Sequence, residues 1–198
     1  MLELWLVRHG ETVWNEAGRV QGRSDPPLSA CGRAQAERLA PRLGHTDFSA
    51  VYSSDLQRAT ETARLALPGA SVSKNVRLRE LDFGVWEGKL WSAVADTDAA
   101  ALNAWFADPY RNTPTGGETY TALSERLRAW LASLPDTGRV LAVTHGGPIR
   151  TVLYGVTGSP NGYRWRFDAA PASLTKLVLG EQGAIIKTVG DTAHLEGC

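Results

Sequence analysis

Residues 4–12 of the chain read Leu4-Trp5-Leu6-Val7-Arg8-His9-Gly10-Glu11-Thr12, an apolar run that stops at an arginine, a histidine and a glycine. Four consecutive apolar residues with polar or glycine neighbours predict a strand buried on both faces, as in a parallel sheet covered by helices. Arg8 and His9 then lie at the carboxyl end of that strand, where open α/β sheets bind ligands because the departing loops form a crevice. A hydrogen-bonded histidine beside a surface arginine explains the same residues equally well.

A second stretch repeats this design and reads Arg139-Val140-Leu141-Ala142-Val143-Thr144-His145-Gly146-Gly147-Pro148. A buried strand is predicted to end at His145, and Pro148 falls in the first turn of the helix that follows, a position that suits proline. The two histidines are therefore predicted to lie at the same edge of one sheet.

The bulk composition is typical of a globular protein and limits the classes of partner. The chain has 198 residues, with 21 basic and 21 acidic side chains and a formal net charge of zero. This length predicts a single domain over residues 1–198, with a small cap insertion at residues 89–117. Nucleic acid and anionic membranes attract proteins through a positive field, so we expect neither as a partner. Whether the chain forms a homodimer is left open by the sequence.

The cysteines and the amino-terminal residues bear on the cellular compartment. Cys31 and Cys198 show neither metal-ligand spacing nor a framework of pairs, which favours a reducing compartment. The first residues carry no cationic segment followed by a long apolar run, and no window approaches a membrane span. We therefore expect a cytoplasmic protein.

Local signals predict the starts of two helices that follow the first strand. Ser29 is a plausible N-cap for the first, and Pro41 is predicted to end or bend that helix near Glu37. Asp55 is predicted to cap the second, whose first turn carries Arg58. A cation in a first turn opposes the helix dipole, so Arg58 indicates a nearby anion; a solvated arginine is the alternative.

Two loops are predicted to supply further polar groups. Residues 11–27 show no periodicity and should lie over the end of the first strand, where Asn15 and Gln21 are candidate ligand contacts or solvated loop residues. Residues 79–88 carry too many carboxylates and glycines for a core element, which indicates a loop at a pocket mouth. Within it Glu80, Asp82 and Glu87 are all candidate acids.

The remaining elements follow from apolar spacing. Short strands are predicted over residues 49–53 and 72–78, helical structure over residues 90–106, and a long amphipathic helix from Thr119. Two strand-like runs, residues 173–179 and 184–189, close the chain.

The groups predicted at one sheet edge suit a phosphoryl group. They are the guanidiniums of Arg8 and Arg58, the imidazoles of His9 and His145, and one of the three carboxyls. Guanidiniums hold phosphate oxygens through fork-like hydrogen bonds, and imidazole is a competent nucleophile for covalent catalysis. No metal or other cofactor is implied, because histidines among arginines repel a dication and no Asp cluster supplies oxygen ligands.

The same residues resemble those of the histidine phosphatase superfamily, the phosphoglycerate mutase-like proteins. The resemblance spans roughly residues 4–155 and is carried by joint motifs. They are Leu6-Val7-Arg8-His9-Gly10-Glu11-Thr12, Gly18-Arg19-Val20-Gln21-Gly22, Tyr52-Ser53-Ser54-Asp55-Leu56-Gln57-Arg58-Ala59, Glu80 with Phe83-Gly84-Val85-Trp86-Glu87-Gly88, and Thr144-His145-Gly146-Gly147.

The resemblance implies a three-layer α/β/α sandwich with a mainly parallel sheet. It also implies that His9 is the phosphorylated histidine, and it selects Glu80 as the proton donor. Arg8, Arg58 and His145 match the phosphate pocket, and the predicted substrate-binding positions are Asn15, Gln21, Gly22 and Gly146.

Within the superfamily, the short chain and the wording of residues 80–88 look like the phosphatase branch, similar to α-ribazole phosphatases and broad-specificity phosphatases. We expect hydrolysis of a small-molecule phosphate monoester, with a phosphoglycerate mutase and a non-catalytic phosphate-binding domain as the alternatives. An apolar leaving-group pocket is a weaker hypothesis, because aromatic residues at helical spacing are usually core. Its candidate lining is Trp86, Trp91, Trp105, Phe106, Tyr110 and Trp165.

Overall fold

The computed structural model describes residues 1–158 and 166–196. Its strands are β1 (Leu2–Arg8), β2 (Ala50–Ser53), β3 (Ser73–Lys74), β4 (Gly138–Thr144), β5 (Leu174–Gly180) and β6 (Gly183–Asp191). They form one sheet in the order β3-β2-β4-β1-β5-β6. The first four in this order pair in parallel, whereas β5 and β6 run antiparallel to their neighbours. The predicted, mainly parallel sheet is confirmed, with an antiparallel hairpin at one edge.

Helices cover both faces of this sheet. They are α1 (Val13–Glu16), α2 (Ala30–Leu43), α3 (Gln57–Ala66), α4 (Trp91–Thr97), α5 (Ala99–Ala107), α6 (Tyr120–Leu131) and α7 (Gly146–Thr157). Short 3₁₀ turns occupy Val76–Leu78, Gly84–Trp86 and Ala193–Leu195. Over residues 1–158 and 166–196, none of the helices combines the length and apolar character that crossing a membrane requires.

Alternating side chains of β1 belong to two separate cores. Leu4 and Leu6 pack in the core that includes α6 and α7, whereas Trp5 and Val7 pack in the core that includes α2 and α3. Because successive side chains of a strand point to opposite faces, an uninterrupted apolar run requires cover on both sides. The result is the predicted three-layer sandwich.

The prediction that Pro41 ends or bends its helix near Glu37 is wrong about the end, because α2 continues to Leu43. Proline removes one intrahelical hydrogen bond, and the pattern resumes where Gly44 N donates to Ala40 O at 2.8 Å. Leu39 and Leu43 are fully buried on either side of Pro41, and their packing holds the last turn. The predicted N-cap is confirmed, since Ser29 Oγ accepts from Gly32 N.

The prediction that Asp55 caps α3 is also wrong. Its carboxylate accepts two hydrogen bonds from Arg79, from Nε at 2.8 Å and from Nη2 at 2.6 Å. The N-cap position belongs to Leu56, and Asp25 accepts the hydrogen bond of Gln57 N instead. A long-range ion pair has replaced the local cap, and a residue distant in sequence supplies the missing acceptor.

Two predicted segments differ in detail from the structure. Residues 11–27 contain the single-turn helix α1, which Thr12 and Asn15 close through a capping box. The strand predicted over residues 72–78 is only the two-residue β3, followed by a 3₁₀ turn. Asparagine side chains form local bonds in both segments: Asn15 closes α1, and Asn75 accepts from Arg77 N at the start of the 3₁₀ turn.

Residues 89–117 form α4, α5 and the turn after them. Trp91 N donates to Gly18 O, and Lys89 O accepts from Val20 N, so this segment is attached to the loop after β1. Val94 and Trp105 pack into the same core as β1. The description of this segment as a separate cap remains a prediction.

Candidate active site

The sheet register brings the two histidines together. Arg8 of β1 lies opposite Thr144 of β4, so His9 and His145 are the next residues on adjacent parallel strands. His9 N donates to Thr144 O at 2.9 Å, which extends the ladder by one bond. The two imidazole ring centroids are 5.0 Å apart. The predicted meeting of the two histidines is therefore observed.

The hydrogen bond of His9 identifies its protonated nitrogen. Nδ1 lies 2.7 Å from Gly10 O, and a carbonyl oxygen can only accept, so Nδ1 carries the proton and Nε2 keeps its lone pair. His9 is 2% exposed. Burial, and then the charges of Arg58 and Arg8, hold the pKa of His9 well below its usual value. The imidazole is therefore neutral near neutral pH.

His145 is held through its other nitrogen. Its Nε2 lies 2.9 Å from Ser54 Oγ, and Ser54 Oγ also accepts a longer hydrogen bond from Leu56 N. A hydroxyl that accepts from an amide is well placed to donate to Nε2, which puts the His145 proton on Nδ1. Burial, and then the charge of Arg58, hold the pKa of His145 well below its usual value. This second imidazole is neutral as well.

Arg8 presents a guanidinium beside the histidines. Its Nη1 donates to Ala169 O at 2.6 Å. Burial lowers the pKa of Arg8 to about 10, with Glu80 opposing and Arg150 and Arg58 adding to the shift. Arg8 therefore remains a cation at neutral pH, held by a carbonyl and by charges at the site.

Arg58, in the first turn of α3, is fully buried. Its Nη2 donates to Gly22 O at 2.6 Å and its Nη1 donates to Ser24 O at 2.7 Å. Burial lowers the pKa of Arg58, whereas Glu80 and Asp25 act to raise it. The predicted position in the first turn is confirmed, and the alternative of a solvated surface arginine is excluded.

Three buried nitrogens at this edge have no hydrogen-bond partner among the described residues. They are Nε of Arg8, Nε of Arg58 and Nδ1 of His145. Buried donors normally find an acceptor, since an unpaired one costs about 1–3 kcal/mol. Three such donors, on the two arginines whose charges act on His9 and on the adjacent His145, suit an anion with several oxygens.

The structure separates the three candidate acids. Glu87 accepts from the backbone N–H groups of Arg23, Ser24 and Phe83, which outweigh the effect of burial and lower its pKa. Asp82 accepts from Gly84 N and pairs with Arg23 at 3.4 Å. The hydrogen bonds and the ion pair of these two carboxylates hold the loops together.

Glu80 is the acid attached to the histidine-bearing edge. Both of its carboxylate oxygens accept from Gly147 N at 3.1 Å, and Oε1 also accepts from Leu81 N at 2.8 Å. A Cβ on Gly147 would lie 2.1 Å from Glu80 Oε1, so only glycine allows this approach. Glu80, the carboxyl selected by the family resemblance, is therefore bonded to Gly147, two residues after His145.

The predicted substrate-binding residues have mixed surroundings. The side-chain oxygens of Asn15 and Gln21 both lie within hydrogen-bond distance of Thr12 Oγ1, which has one proton to share between them, and they help to close the turn after β1. Gly22 supplies the carbonyl that orients Arg58, and a Cβ there would lie 2.1 Å from Glu87 Oε1. Gly146 is buried at the start of α7, where an added Cβ would lie 3.7 Å from Arg8 Nε. Their contacts with a substrate remain predictions.

The aromatic residues mostly form core. Trp86 and Trp105 are at most 1% exposed and pack edge to face, and Trp86 Nε1 donates to Asp98. Phe106 is 45% exposed. Trp165 and the neighbouring residues 159–164 lie outside the described residues. Trp86 and Trp105 therefore do not line a leaving-group pocket.

Ser54 and Asp25 were missed as site residues at the sequence level. Ser54 follows β2 directly and contacts His145, and Asp25 lies 3.4 Å from Arg58 Nη1. Ser54 has a recognisable signal, because it occupies the carboxyl end of a predicted strand. Asp25 has none, since its role depends on how residues 11–27 cross the sheet edge.

Comparisons with known proteins agree with this architecture. A family model described as histidine phosphatase superfamily (branch 1) matches residues 4–192. The probable phosphoglycerate mutase GpmB of Klebsiella pneumoniae (strain 342) is 35% identical over 210 residues, covering 99% of this chain and 96% of that protein. Bacillus stearothermophilus YhfR has a TM-score of 0.91 at 31% identity, covering 99% of this chain and 100% of that chain. A putative alpha-ribazole-5'-P phosphatase from Escherichia coli K-12 has a TM-score of 0.88 at 31% identity, covering 97% of each chain.

Proposed function

Because this chain belongs to the histidine phosphatase superfamily (branch 1), we propose that it hydrolyses small-molecule phosphate monoesters through a phosphohistidine formed on His9. The observation that carries the proposal is that three buried donors without a partner among the described residues occur on Arg8, Arg58 and His145, beside an imidazole whose Nδ1 is already bonded. A neutral Nε2 beside an anion-binding cluster is what nucleophilic phosphoryl transfer needs.

In the first step, Nε2 of His9 attacks phosphorus and the bond from phosphorus to the ester oxygen breaks. Nε of Arg8, Nε of Arg58 and Nδ1 of His145 donate hydrogen bonds to the non-bridging oxygens. Glu80, in its protonated form, gives its proton to the leaving oxygen, and the alcohol departs. Such fixed donors contribute about 3 kcal/mol each to the transition state.

In the second step, water attacks the phosphorus of phospho-His9. The Glu80 carboxylate accepts a proton from that water, inorganic phosphate forms, and the Nε2 lone pair is restored. One carboxyl serves both steps because it leaves the first step deprotonated. Its bonds from Gly147 N keep it at the strand edge throughout.

A trapping experiment tests the covalent intermediate. Brief incubation with a ³²P-labelled monoester, followed by alkaline denaturation, should leave acid-labile label on the peptide that contains His9. His45 lies exposed on the surface, so His45→Ala is the matched control and should label normally. Label on any other residue, or undiminished label on His9→Ala, would contradict the proposal.

The second candidate function is a mutase, because the Klebsiella relative is named a probable phosphoglycerate mutase. α-Ribazole-5′-phosphate is a candidate hydrolytic substrate, in view of the Escherichia coli neighbour. Purified protein is incubated separately with 3-phosphoglycerate, α-ribazole-5′-phosphate and p-nitrophenyl phosphate, and released phosphate is measured beside the isomer ratio. Hydrolysis predicts stoichiometric phosphate, whereas isomerisation of 3-phosphoglycerate without phosphate release would establish the mutase.

A further inference from the structure

Arg126, on α6, contacts the chain segment that leads to Glu80. Its Nη1 donates to Arg77 O at 2.6 Å and its Nη2 donates to Glu80 O at 3.0 Å. The side chain is only 16% exposed. One guanidinium therefore holds a carbonyl within the 3₁₀ turn Val76–Leu78 and the carbonyl of the candidate proton donor itself.

Glu118 fixes the plane of this guanidinium. Arg126 Nε donates to Glu118 Oε1 at 2.8 Å, and Arg126 Nη2 donates to Oε2 at 2.9 Å. Such a two-point pair restricts rotation as well as position, because the planar fork matches the carboxylate. Glu118 is 10% exposed and also pairs with Arg23 at 3.3 Å, in the loop whose carbonyls hold Arg58.

Within the part of the chain that the structure describes, other groups hold the residues next to Glu80 in this segment. Thr144 Oγ1 donates to Leu78 O at 2.7 Å, and Arg79 is bound to Asp55. The Glu80 carboxylate is bonded at its tip by Gly147 N. The contact from Arg126 to Glu80 O fixes the other end of this residue.

We propose that Arg126 is a positioning residue that sets the reach of the Glu80 carboxyl toward the leaving oxygen. This inference rests on the proposed function, in which Glu80 is the general acid. Among the groups given a role in the reaction, the one that Arg126 bonds directly is Glu80, through its main-chain oxygen. Displacing an acid by a fraction of a bond length weakens proton transfer while leaving the nucleophile and the anion donors in place.

The effect of Arg126 on kcat/KM should depend on the leaving group. A phenolate needs a proton as it departs, whereas 2,4-dinitrophenolate leaves as a stable anion. Loss of acid positioning should therefore lower kcat/KM for phenyl phosphate and spare 2,4-dinitrophenyl phosphate. A merely structural defect lowers both together.

The test compares both substrates in four variants. Arg126→Met removes the fork, and Arg126→Lys keeps the charge and one point of contact. Arg128→Met is the control, since Arg128 is exposed on the same helix. Glu80→Gln shows how differently the two substrates respond when the acid is lost completely. The expected loss of rate for such an acid is about 10²–10⁴-fold.

We expect Arg126→Met to lower kcat/KM for phenyl phosphate roughly 10–100-fold and for 2,4-dinitrophenyl phosphate less than about threefold, because only protonation is impaired. Arg126→Lys should fall between this variant and the wild type, and it keeps the test valid if the Met variant does not fold. Equal losses on both substrates, or no loss on either, overturn the positioning role. If Glu80→Gln itself shows no leaving-group selectivity, the acid assignment in the proposed function fails first.

Discussion

His9 and His145 end neighbouring strands of the same sheet, yet their surroundings differ. His9 is bonded through Nδ1 to the carbonyl of Gly10, whereas His145 is bonded through Nε2 to the hydroxyl of Ser54. The first arrangement leaves the lone pair of Nε2 available, as the proposed nucleophile requires; the second leaves the N–H of Nδ1 available, as the proposed donor requires. Both rings carry the proton on Nδ1, but similar sequence contexts leave different nitrogens available, because the hydrogen-bond partner occupies Nδ1 of His9 and Nε2 of His145.

Removing the nucleophile should have the largest effect. His9→Ala is expected to lower kcat on the order of 10⁴-fold or more, as when other covalent nucleophiles are removed. Steady-state phosphate release measures this, with His45→Ala as the control. If turnover survives in His9→Ala, catalysis does not depend on His9, and only the non-catalytic phosphate-binding alternative is left for this sheet edge. The contrast between the two histidines would then fail.

Removing the donor should have a smaller effect of a different kind. His145→Ala is expected to lower kcat roughly 10²–10³-fold, the cost of deleting one donor to a charged transition state. Labelled phospho-His9 should still form, only more slowly, in rapid-quench measurements. Loss of labelling as complete as that of His9→Ala would mean that the two histidines share one role.

Ser54→Ala tests the tautomer of His145 directly. Without the hydroxyl, Nε2 can take the proton and Nδ1 becomes an acceptor, so kcat/KM should fall roughly 3–10-fold, the worth of one hydrogen bond. The neighbouring variant Ser53→Ala provides a control on the same strand end. Wild-type activity in Ser54→Ala would show that some other group orients His145.

The histidines should behave alike in folding stability. Burial lowers the pKa of both in the folded state, so below pH 6.5 the unfolded chain binds more protons and stability falls with falling pH. Each can contribute up to about 1.4 kcal/mol per pH unit. The free energy of unfolding can be measured with urea between pH 5 and 7.5, without phosphate. It should change less with pH in His9→Asn and in His145→Asn than in the wild type. An unchanged pH dependence contradicts the burial of these histidines as neutral groups.

Chelation should have the smallest effect. Activity is expected to be unchanged in EDTA, because Arg8 and Arg58, both cations at this edge, neutralise the negative charge of the phosphate. Phosphate release before and after dialysis against EDTA measures it. Loss of activity that a divalent ion restores would require a different account of the site.

Much of the fold could be predicted because its signals are local. The apolar runs before His9 and His145 predict strands, and Ser29 predicts a helix start through its own hydroxyl. Asp55 and Pro41 misled because the deciding partners are distant: Arg79 takes the Asp55 carboxylate, and the packing of Leu39 and Leu43 carries α2 past Pro41. Local propensity is a weak prior wherever a tertiary contact competes with it.

The sequence by itself determined which side chains stand at the strand ends, since a buried strand must stop where its apolar run meets Arg8-His9 and Thr144-His145. Tertiary structure decided how these groups are held. It bonded Glu80, but neither Asp82 nor Glu87, to Gly147 N among the described residues, and it bonded Nε2 of His145 to Ser54, whereas Nδ1 of His9 is bonded to the carbonyl of the next residue. The reason is physical: residue type fixes what a group can do, but its protonation and reach depend on neighbours that only folding brings within hydrogen-bond distance.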